Sequence, residues 1–313
     1  MKPAFSIVVH TTLSGAGYGM LFWLGIYAPF NLLAPNPESG AVTMTAAIGL
    51  IAGGLIASLF HLGHPQRIWR TFTRWRHSWL SREAIASTLT FVPAIIFGLG
   101  WAAFDDTRGF WALNAACSAG GALLTVTCAA FIYRSLKPIP QWHNAWVVPN
   151  FLALSGMSGA LMLNAILETL HAPLPRAQII VLLTIGVALA VKLGYWRSID
   201  SPEPTSTPES ATGLGFLGRV GSLEAPHTSE NYLLKEMGFQ FAREHANVLR
   251  RVVLLLAYLI PFALTSFAFI VPGQFSCLGY CSAASSAVCG LLIERWLFFA
   301  EARHAVMHYY GPR

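Results

Sequence analysis

The sequence predicts an all-α polytopic membrane protein, a bundle of eight transmembrane helices in a single integral membrane domain over residues 1–313. Of its 313 residues, 55% are hydrophobic and only 11% are charged, and the mean hydropathy is +0.54. Soluble domains carry about 25% charged residues, so this composition could not cover a water-facing surface. Apolar runs of about 20 residues, the length that crosses a bilayer, also recur along the chain.

The eight apolar segments cover approximately residues 5–33, 41–61, 82–104, 110–134, 146–169, 176–197, 248–271 and 282–305. Pro93 and Pro261 lie inside the third and seventh segments, where neighbouring helices can satisfy the freed carbonyl and a kink is expected. Small residues that allow close helix packing, or that border a ligand groove, recur in the first and fifth segments. They are Ser14, Gly15, Gly17 and Gly19, and Ser155, Gly156, Ser158, Gly159 and Ala160.

Basic residues predict the orientation of the chain, because cytoplasmic connections are enriched in Lys and Arg. The connections after segments two, four and six carry Arg67, Arg70, Arg74, Arg76 and Arg82; Arg134 and Lys137; and Arg197, Arg219, Lys235, Arg243, Arg250 and Arg251. The opposite connections carry only Arg108 and Arg176. We therefore expect these three connections and both termini to be cytoplasmic, in a bacterial inner membrane. The net charge of +6 reflects this sorting, and no nucleic-acid motif accompanies it.

The stretch before segment seven has two parts. Residues 198–230 are rich in Pro, Ser, Thr and Gly, which predicts a cytoplasmic linker. Residues 231–247 mix apolar and basic side chains, which predicts an amphipathic helix on the membrane surface before the seventh span. Either lipid or a partner subunit could cover this helix.

Titratable chemistry is densest between segments two and three, from His61 to Glu83. His61 ends one span and Glu83 begins the next, so a hairpin-like connection could bring them together at one membrane surface. Quinone chemistry needs such a pair, because each carbonyl oxygen gains or loses a proton as electrons move. Interfacial His, Arg and Trp also anchor helices to lipid headgroups, which is the alternative explanation.

Other cofactors have weaker support. A b-type haem needs two His inside spans, and only His10 and perhaps His304 could lie in one. The five Cys form no CxxC pair, so we expect neither a metal site nor an iron–sulfur cluster on this chain. Segment eight carries Glu294, Arg295 and Glu301. Charges within a span are functional candidates by default, and the alternative is that these are solvated or paired. Lys192 is expected to bond a neighbouring helix.

Four runs in this layout resemble the dimethyl sulfoxide reductase anchor-subunit family over essentially the whole chain: GLIASLFHLGHPQR, SREAIAS, ENYLLKEMGFQFAREHA and ERWLFFAEARHAVMHYYG. Members are membrane subunits that bind quinone without haem. A molybdopterin catalytic subunit and a four-cluster iron–sulfur subunit dock on them and carry those cofactors. The resemblance implies that His61 and Glu83 are the catalytic residues of a ubiquinone or menaquinone site. The full set predicted to contact quinone is His61, His64, Arg67, Trp69, Arg70, Trp79, Arg82 and Glu83.

The basic connection after segment two is expected to be cytoplasmic, so the soluble subunits that meet it would lie in the cytoplasm. In this respect the chain most resembles the anchors of quinone-reducing sulfite dehydrogenases, a branch of the same family. Electrons would then run from sulfite at molybdenum, through the clusters, to a quinone near His61. The alternative is the anchor of a dimethyl sulfoxide reductase, which oxidises quinol. His64 follows His-Leu-Gly here, where the dimethyl sulfoxide reductase anchor has Ser, which leaves the substrate open. A secondary transporter is less favoured because no internal repeat is evident, and an anchor without a redox role is the third possibility.

Overall fold

The computed structural model describes residues 3–60, 63–200, 207–221, 223–224, 244–271 and 276–306. Over these ranges the chain is helical and has no strand. Eight helices are long and apolar enough to cross a membrane, which confirms the predicted fold class. They are α1 (Phe5–Tyr27), α2 (Pro37–Leu59), α3 (Trp79–Ala103), α4 (Phe110–Arg134), α5 (Val147–Thr169), α6 (Ala177–Asp200), α7 (Ala246–Ile270) and α8 (Ser276–Ala300).

Polar caps set helix ends that hydropathy alone misplaces. The α2 helix begins at Pro37, earlier than predicted, because the Asn36 side chain accepts a hydrogen bond from the Ser39 N–H at 3.1 Å. The α3 helix begins at Trp79, where Ser78 caps it by accepting from the Ser81 N–H at 3.4 Å. The earlier start of α3 puts Glu83 inside the helix, in its second turn.

The connection from α6 to α7 is described only in part. The α6 helix continues to Asp200, and a five-residue helix, Pro208–Thr212, and a 3₁₀ turn, Gly215–Leu217, lie within the predicted linker 198–230. The amphipathic helix predicted over 231–247 lies outside the described residues except for 244–247. It stays a prediction.

The α7 helix changes winding before Pro261. Residues Leu254–Leu259 form a π-helical turn, and the α-helix resumes at Ile260. In that i→i+5 pattern the Leu256 carbonyl would accept from residue 261, which as proline has no N–H. The Ser286 hydroxyl of α8 donates to the Leu256 carbonyl instead, at 2.8 Å. A neighbouring helix thus satisfies the carbonyl that Pro261 frees, as predicted.

The α3 helix illustrates how each span divides between lipid and protein. Its exposed positions are large and apolar and recur every three or four residues, at Leu89, Val92, Ile95 and Leu99. The opposite face is buried and contacts α4 and α2. The bundle therefore shows lipid an apolar surface and keeps its polar groups inside.

The α1 helix lies at the centre and packs against α2, α4, α5 and α8. Close approach depends on its glycines, as the small-residue pattern predicted. A Cβ at Gly19 would lie 1.9 Å from the Ser155 carbonyl oxygen, and one at Gly159 would lie 2.1 Å from the Gly19 carbonyl carbon. A Cβ at Gly17 would lie 2.6 Å from the Ala47 carbonyl oxygen of α2.

We expect Gly19→Ala to destabilise the bundle, because its methyl group meets rigid backbone and forces α1 away from α5. Overpacking of this kind costs about 1–3 kcal/mol, which outweighs the roughly 1 kcal/mol that alanine gains in helix propensity. The measurement is the thermal unfolding midpoint of the purified protein in detergent. Gly120→Ala is the matched control, because Gly120 is exposed on α4 and an added Cβ meets nothing within 4 Å. Equal midpoints for the two variants would contradict the close packing.

Successive spans run in opposite directions. The connections after α2, α4 and α6 therefore share one end of the bundle with the start of α1 and the end of α8. We call this the basic end, because it carries Arg67, Arg70, Arg134, Lys137, Arg197 and Arg250.

Candidate functional site

Glu83 of α3 and His10 of α1 meet near the basic end. The Glu83 side chain is buried, at 7% exposure, and its Oε1 lies 3.4 Å from His10 Nε2. The other ring nitrogen, Nδ1, lies 3.0 Å from the Gly54 carbonyl oxygen of α2. Three helices therefore hold one imidazole–carboxyl pair in place.

The contacts of His10 fix where its protons lie. A carbonyl oxygen can only accept, so Nδ1 carries a proton and donates to Gly54. Nε2 and Glu83 Oε1 then repel each other unless a proton lies on one of them. Either an imidazolium faces a carboxylate, or a neutral imidazole accepts from a protonated carboxyl group. The pair can therefore hold one exchangeable proton at the membrane edge.

His10 and Glu83 line a narrow cleft of about 30 Å³ that reaches into the bundle. This volume admits one or two waters, since a water needs roughly 10–15 Å³, and it is smaller than a typical small-molecule site of about 300–1,000 Å³. Helices α1, α3, α4, α5 and α8 contribute to its wall. The apolar part includes Val126, Ala129, Leu154 and Leu291, and the polar part includes Thr11, Thr12, Tyr18 and Ser155.

Hydrogen bonds hold the polar wall rigid. The Tyr18 hydroxyl donates to Ser87 Oγ at 2.7 Å, and the Ser155 hydroxyl donates to the Gly15 carbonyl at 2.6 Å. An added Cβ at Gly15 would meet nothing within 4 Å, so this glycine leaves room beside the cleft. The small residues of α1 and α5 thus allow close packing, and Gly15 and Ser155 line the cleft; the role of a ligand groove stays a prediction.

A second polar cluster borders the same cleft from α8. Glu294 is fully buried and pairs with both Arg295 and Lys192 of α6. Arg295 Nε donates to Glu294 Oε2 at 2.6 Å, and Arg295 lines the cleft. The predicted pairing is confirmed for Glu294, as is the interhelical bond of Lys192.

An ion-pair cluster closes the basic end beside this site. Arg250 of α7 donates to Glu301 Oε1 at 2.9 Å and to Asp200 Oδ2 at 2.8 Å. Burial raises the pKa of the Glu301 carboxyl above its ordinary value, and the Arg250 guanidinium opposes that rise. Neither Arg250 nor Glu301 lines the cleft.

The predicted quinone residues divide into three groups. Glu83 lines the cleft. His61 lies outside the described residues; in the sequence it follows Phe60, the residue after the last position of α2. The remaining six do not line the cleft; they are His64, Arg67, Trp69, Arg70, Trp79 and Arg82. Their role at a quinone site stays a prediction, as does that of His61.

The connection between α2 and α3 is largely an exposed 3₁₀ segment, Pro65–Arg74. His64, Arg67, Trp69 and Arg70 are exposed on or beside it.

Arg82 and Trp79 stabilise this connection. The Arg82 guanidinium donates to the Trp75 and Arg76 carbonyls at 2.9 and 2.8 Å and lies 4.2 Å from the centre of the Trp79 ring. Trp79 in turn stacks on Phe131 of α4 at 4.5 Å.

Sequence reasoning missed His10 as the partner of Glu83 and Arg295 as a residue of the cleft. The sequence indicated His10 only as a haem candidate, and Arg295 only as an unassigned charge within a span that was expected to be paired. One signal was available for both: each is a titratable or charged residue within two turns of the basic end of a span, as Glu83 is. Charges inside a span are functional candidates by default.

This architecture, a bundle of eight candidate spans with an imidazole–carboxyl pair and buried charges near one end, is that of a multi-pass membrane subunit. The family model described as DMSO reductase anchor subunit (DmsC) matches residues 1–215. The chain belongs to this anchor-subunit family. It is 34% identical to a sulfite dehydrogenase subunit of Allochromatium vinosum, over 99% of both proteins. It is 25% identical to a subunit of the anaerobic dimethyl sulfoxide reductase of Escherichia coli, over 49% of this chain and 55% of that one.

Proposed function

We propose that this chain anchors a molybdopterin and iron–sulfur oxidoreductase and binds quinone in the cleft between α1, α3 and α8. The observation that carries the proposal is the His10–Glu83 pair, a proton-holding group in the wall of a cleft at the membrane edge. An apolar quinone tail would remain in lipid while the head group reaches the polar wall. The cleft's combination of apolar and hydrogen-bonding residues suits such a head group, and the helices that line the cleft would have to move apart to admit the ring.

The reaction balances as two electrons and two protons per quinone. Oxidation of sulfite with one water gives sulfate, two protons and two electrons, and reduction of quinone to quinol takes up two of each. The iron–sulfur subunit supplies the electrons. The His10–Glu83 pair passes protons, one at a time, from the basic end to the ring oxygens. His61, directly after α2, stays a candidate donor to a ring oxygen.

Two observations favour sulfite as the electron source and the cytoplasm as the side. The likeness to a sulfite dehydrogenase subunit extends over nearly the whole chain, whereas the likeness to the dimethyl sulfoxide reductase subunit extends over about half. The basic residues at the end that holds His10 and Glu83 favour a cytoplasmic site. A four-cluster iron–sulfur subunit and a molybdopterin subunit would dock there. Quinol oxidation by a dimethyl sulfoxide reductase is the alternative direction.

Purification of the chain with its co-expressed soluble subunits tests the proposal. We expect the complex to reduce a short-chain ubiquinone or menaquinone analogue when sulfite is added. Dimethyl sulfoxide-dependent oxidation of the corresponding quinol, without sulfite activity, would instead support the alternative direction. A complex that binds neither analogue would contradict quinone binding.

We expect Gly15→Leu to abolish quinone binding. Gly15 lines the cleft and has open space at its Cβ position, so a leucine side chain there would fill the space that the quinone needs. Binding of the short-chain analogue would be measured by calorimetry on the purified complex. Gly120→Leu is the control, since it makes the same change on the exposed face of α4 and should bind normally. Normal binding by Gly15→Leu would move the quinone site elsewhere.

A further inference from the structure

Arg295 has hydrogen-bonding capacity that the described chain does not use. Its side chain is 4% exposed, and its Nε donates to Glu294. Neither Nη atom has a hydrogen-bond partner among the described residues. A buried donor left without an acceptor costs about 1–3 kcal/mol, and more when it is charged. Such a group therefore indicates an acceptor from outside the described chain, which is either a water or a ligand.

The guanidinium is held by packing as well as by its ion pair. It lies 4.3 Å from the centre of the Phe151 ring and 5.4 Å from that of Phe298. Glu294 holds the Nε side, so the free Nη side has a defined position in the cleft wall that Arg295 shares with Glu83. Preorganised donors of this kind bind without losing side-chain freedom.

The charges around Arg295 also favour an electron-rich ligand. Glu294 is shared between Arg295 and Lys192, so one carboxylate faces two cations. Lys192 lies 4.4 Å from the centre of the Tyr195 ring, and no second carboxylate contacts it within ion-pair distance in the described part of the chain. With all three groups ionised, the cluster carries one positive charge in a buried site, and Glu301 offsets it in part because its field also reaches Lys192. An oxygen that gains negative charge during a reaction is stabilised by such a charge.

We propose that the Nη groups of Arg295 bind one carbonyl oxygen of the quinone head group, while the His10–Glu83 pair serves the other. This inference rests on the proposed function and deepens it, because it assigns each end of the ring to a different helix. Arg295 acts as a binding residue that also stabilises the charge that reduction places on the oxygen. The Lys192–Glu294 pair is a positioning element that fixes the guanidinium.

The test compares quinone affinity and carbonyl vibrations in the purified complex. Arg295→Met removes all the hydrogen-bond donors and keeps an unbranched side chain. Arg295→Lys keeps the positive charge but changes the geometry of the donors. For Arg295→Met we expect the dissociation constant of a short-chain ubiquinone analogue to rise about 10- to 100-fold, the loss of one charged hydrogen bond. Arg295→Lys should fall between it and the parent protein. Arg250→Met is the matched control, because it deletes a half-buried, ion-paired arginine outside the cleft and should bind normally.

Infrared spectra of the analogue, labelled with carbon-13 at one carbonyl at a time, give a readout that does not depend on turnover. In the parent complex we expect both carbonyl stretches to shift to lower frequency, and in Arg295→Met one of the two bands should return to its position in detergent solution. If Arg295→Met does not assemble, the parent spectrum still decides, since two unshifted carbonyls would overturn the inference. Tightly bound phospholipid together with unshifted carbonyls would overturn it as well, and would assign Arg295 to a lipid phosphate.

Different results would contradict the quinone site in the cleft and the role of Arg295. If Gly15→Leu abolishes quinone binding while Arg295→Met changes neither affinity nor spectrum, the cleft is the quinone site and the role of Arg295 is wrong. If Gly15→Leu binds quinone normally, the cleft is not the site, and the proposed function of this region is wrong with it.

Discussion

Glu83→Gln should reduce quinone-linked turnover of the assembled complex by about 100-fold or more, the usual contribution of a proton-transferring group. Glutamine preserves size and can still hydrogen-bond, but it cannot take up or release the proton that Glu83 shares with His10. Under the proposed function, sulfite-dependent reduction of a soluble artificial acceptor should remain unchanged, because that reaction would occur on the partner subunits. The ratio of the two activities is therefore the measurement.

The His10–Glu83 pair should behave as one unit. His10→Phe removes the contacts to both Glu83 and Gly54, and we expect it to lower quinone turnover to a similar extent. The double variant should then be little worse than either single one, since residues that act together are not additive. Glu38→Gln, an exposed carboxyl at the other end of α2, is the control. Multiplicative losses in the double variant would show that the two residues act separately.

Glu294→Leu should destabilise the bundle by about 3–5 kcal/mol, because it leaves Lys192 and Arg295 buried without a counter-charge. The measurement is the thermal unfolding midpoint in detergent, together with the yield of folded protein. Glu301→Gln should cost less, since Glu301 lies at the end of α8 beside the partly exposed Arg250–Asp200 pair.

The triple variant Lys192→Met, Glu294→Leu, Arg295→Met separates stability from binding. Replacing a whole buried ion cluster with apolar residues is often neutral or stabilising, so most of the stability should return. Quinone affinity should stay low, because the Arg295 donors are absent. A triple variant as unstable as Glu294→Leu would mean that packing, rather than uncompensated charge, explains the loss.

Composition and apolar segment length were sufficient to predict the eight spans, because the bilayer imposes a length and an apolar character that no other environment requires. The small-residue runs in the first and fifth segments correctly predicted close packing of α1. The first residues of α2 and α3 were predicted several positions too late. Asn36 and Ser78 cap these helices, and a capping residue has no hydropathy signal.

The candidate site could be predicted only in part. Glu83 was a candidate because it begins a span opposite His61 and because the family resemblance points to it; the structure places it in the cleft wall, and its role stays a prediction. The neighbouring Arg and Trp residues drew attention by density, yet Arg82 uses its donors on the Trp75 and Arg76 carbonyls of its own connection. Local abundance of charge in a sequence does not distinguish a side chain that faces a ligand from one that ties down a loop.

The sequence by itself determined the class of the protein, its spans, its family and one carboxyl group of the site. Only the tertiary structure decided that His10 contacts Glu83, which lies 73 positions later, and that Lys192 bonds Glu294 across 102 positions. The physical reason is that hydropathy acts on each segment alone, whereas a proton-holding pair or a shared counter-ion depends on which helix faces meet.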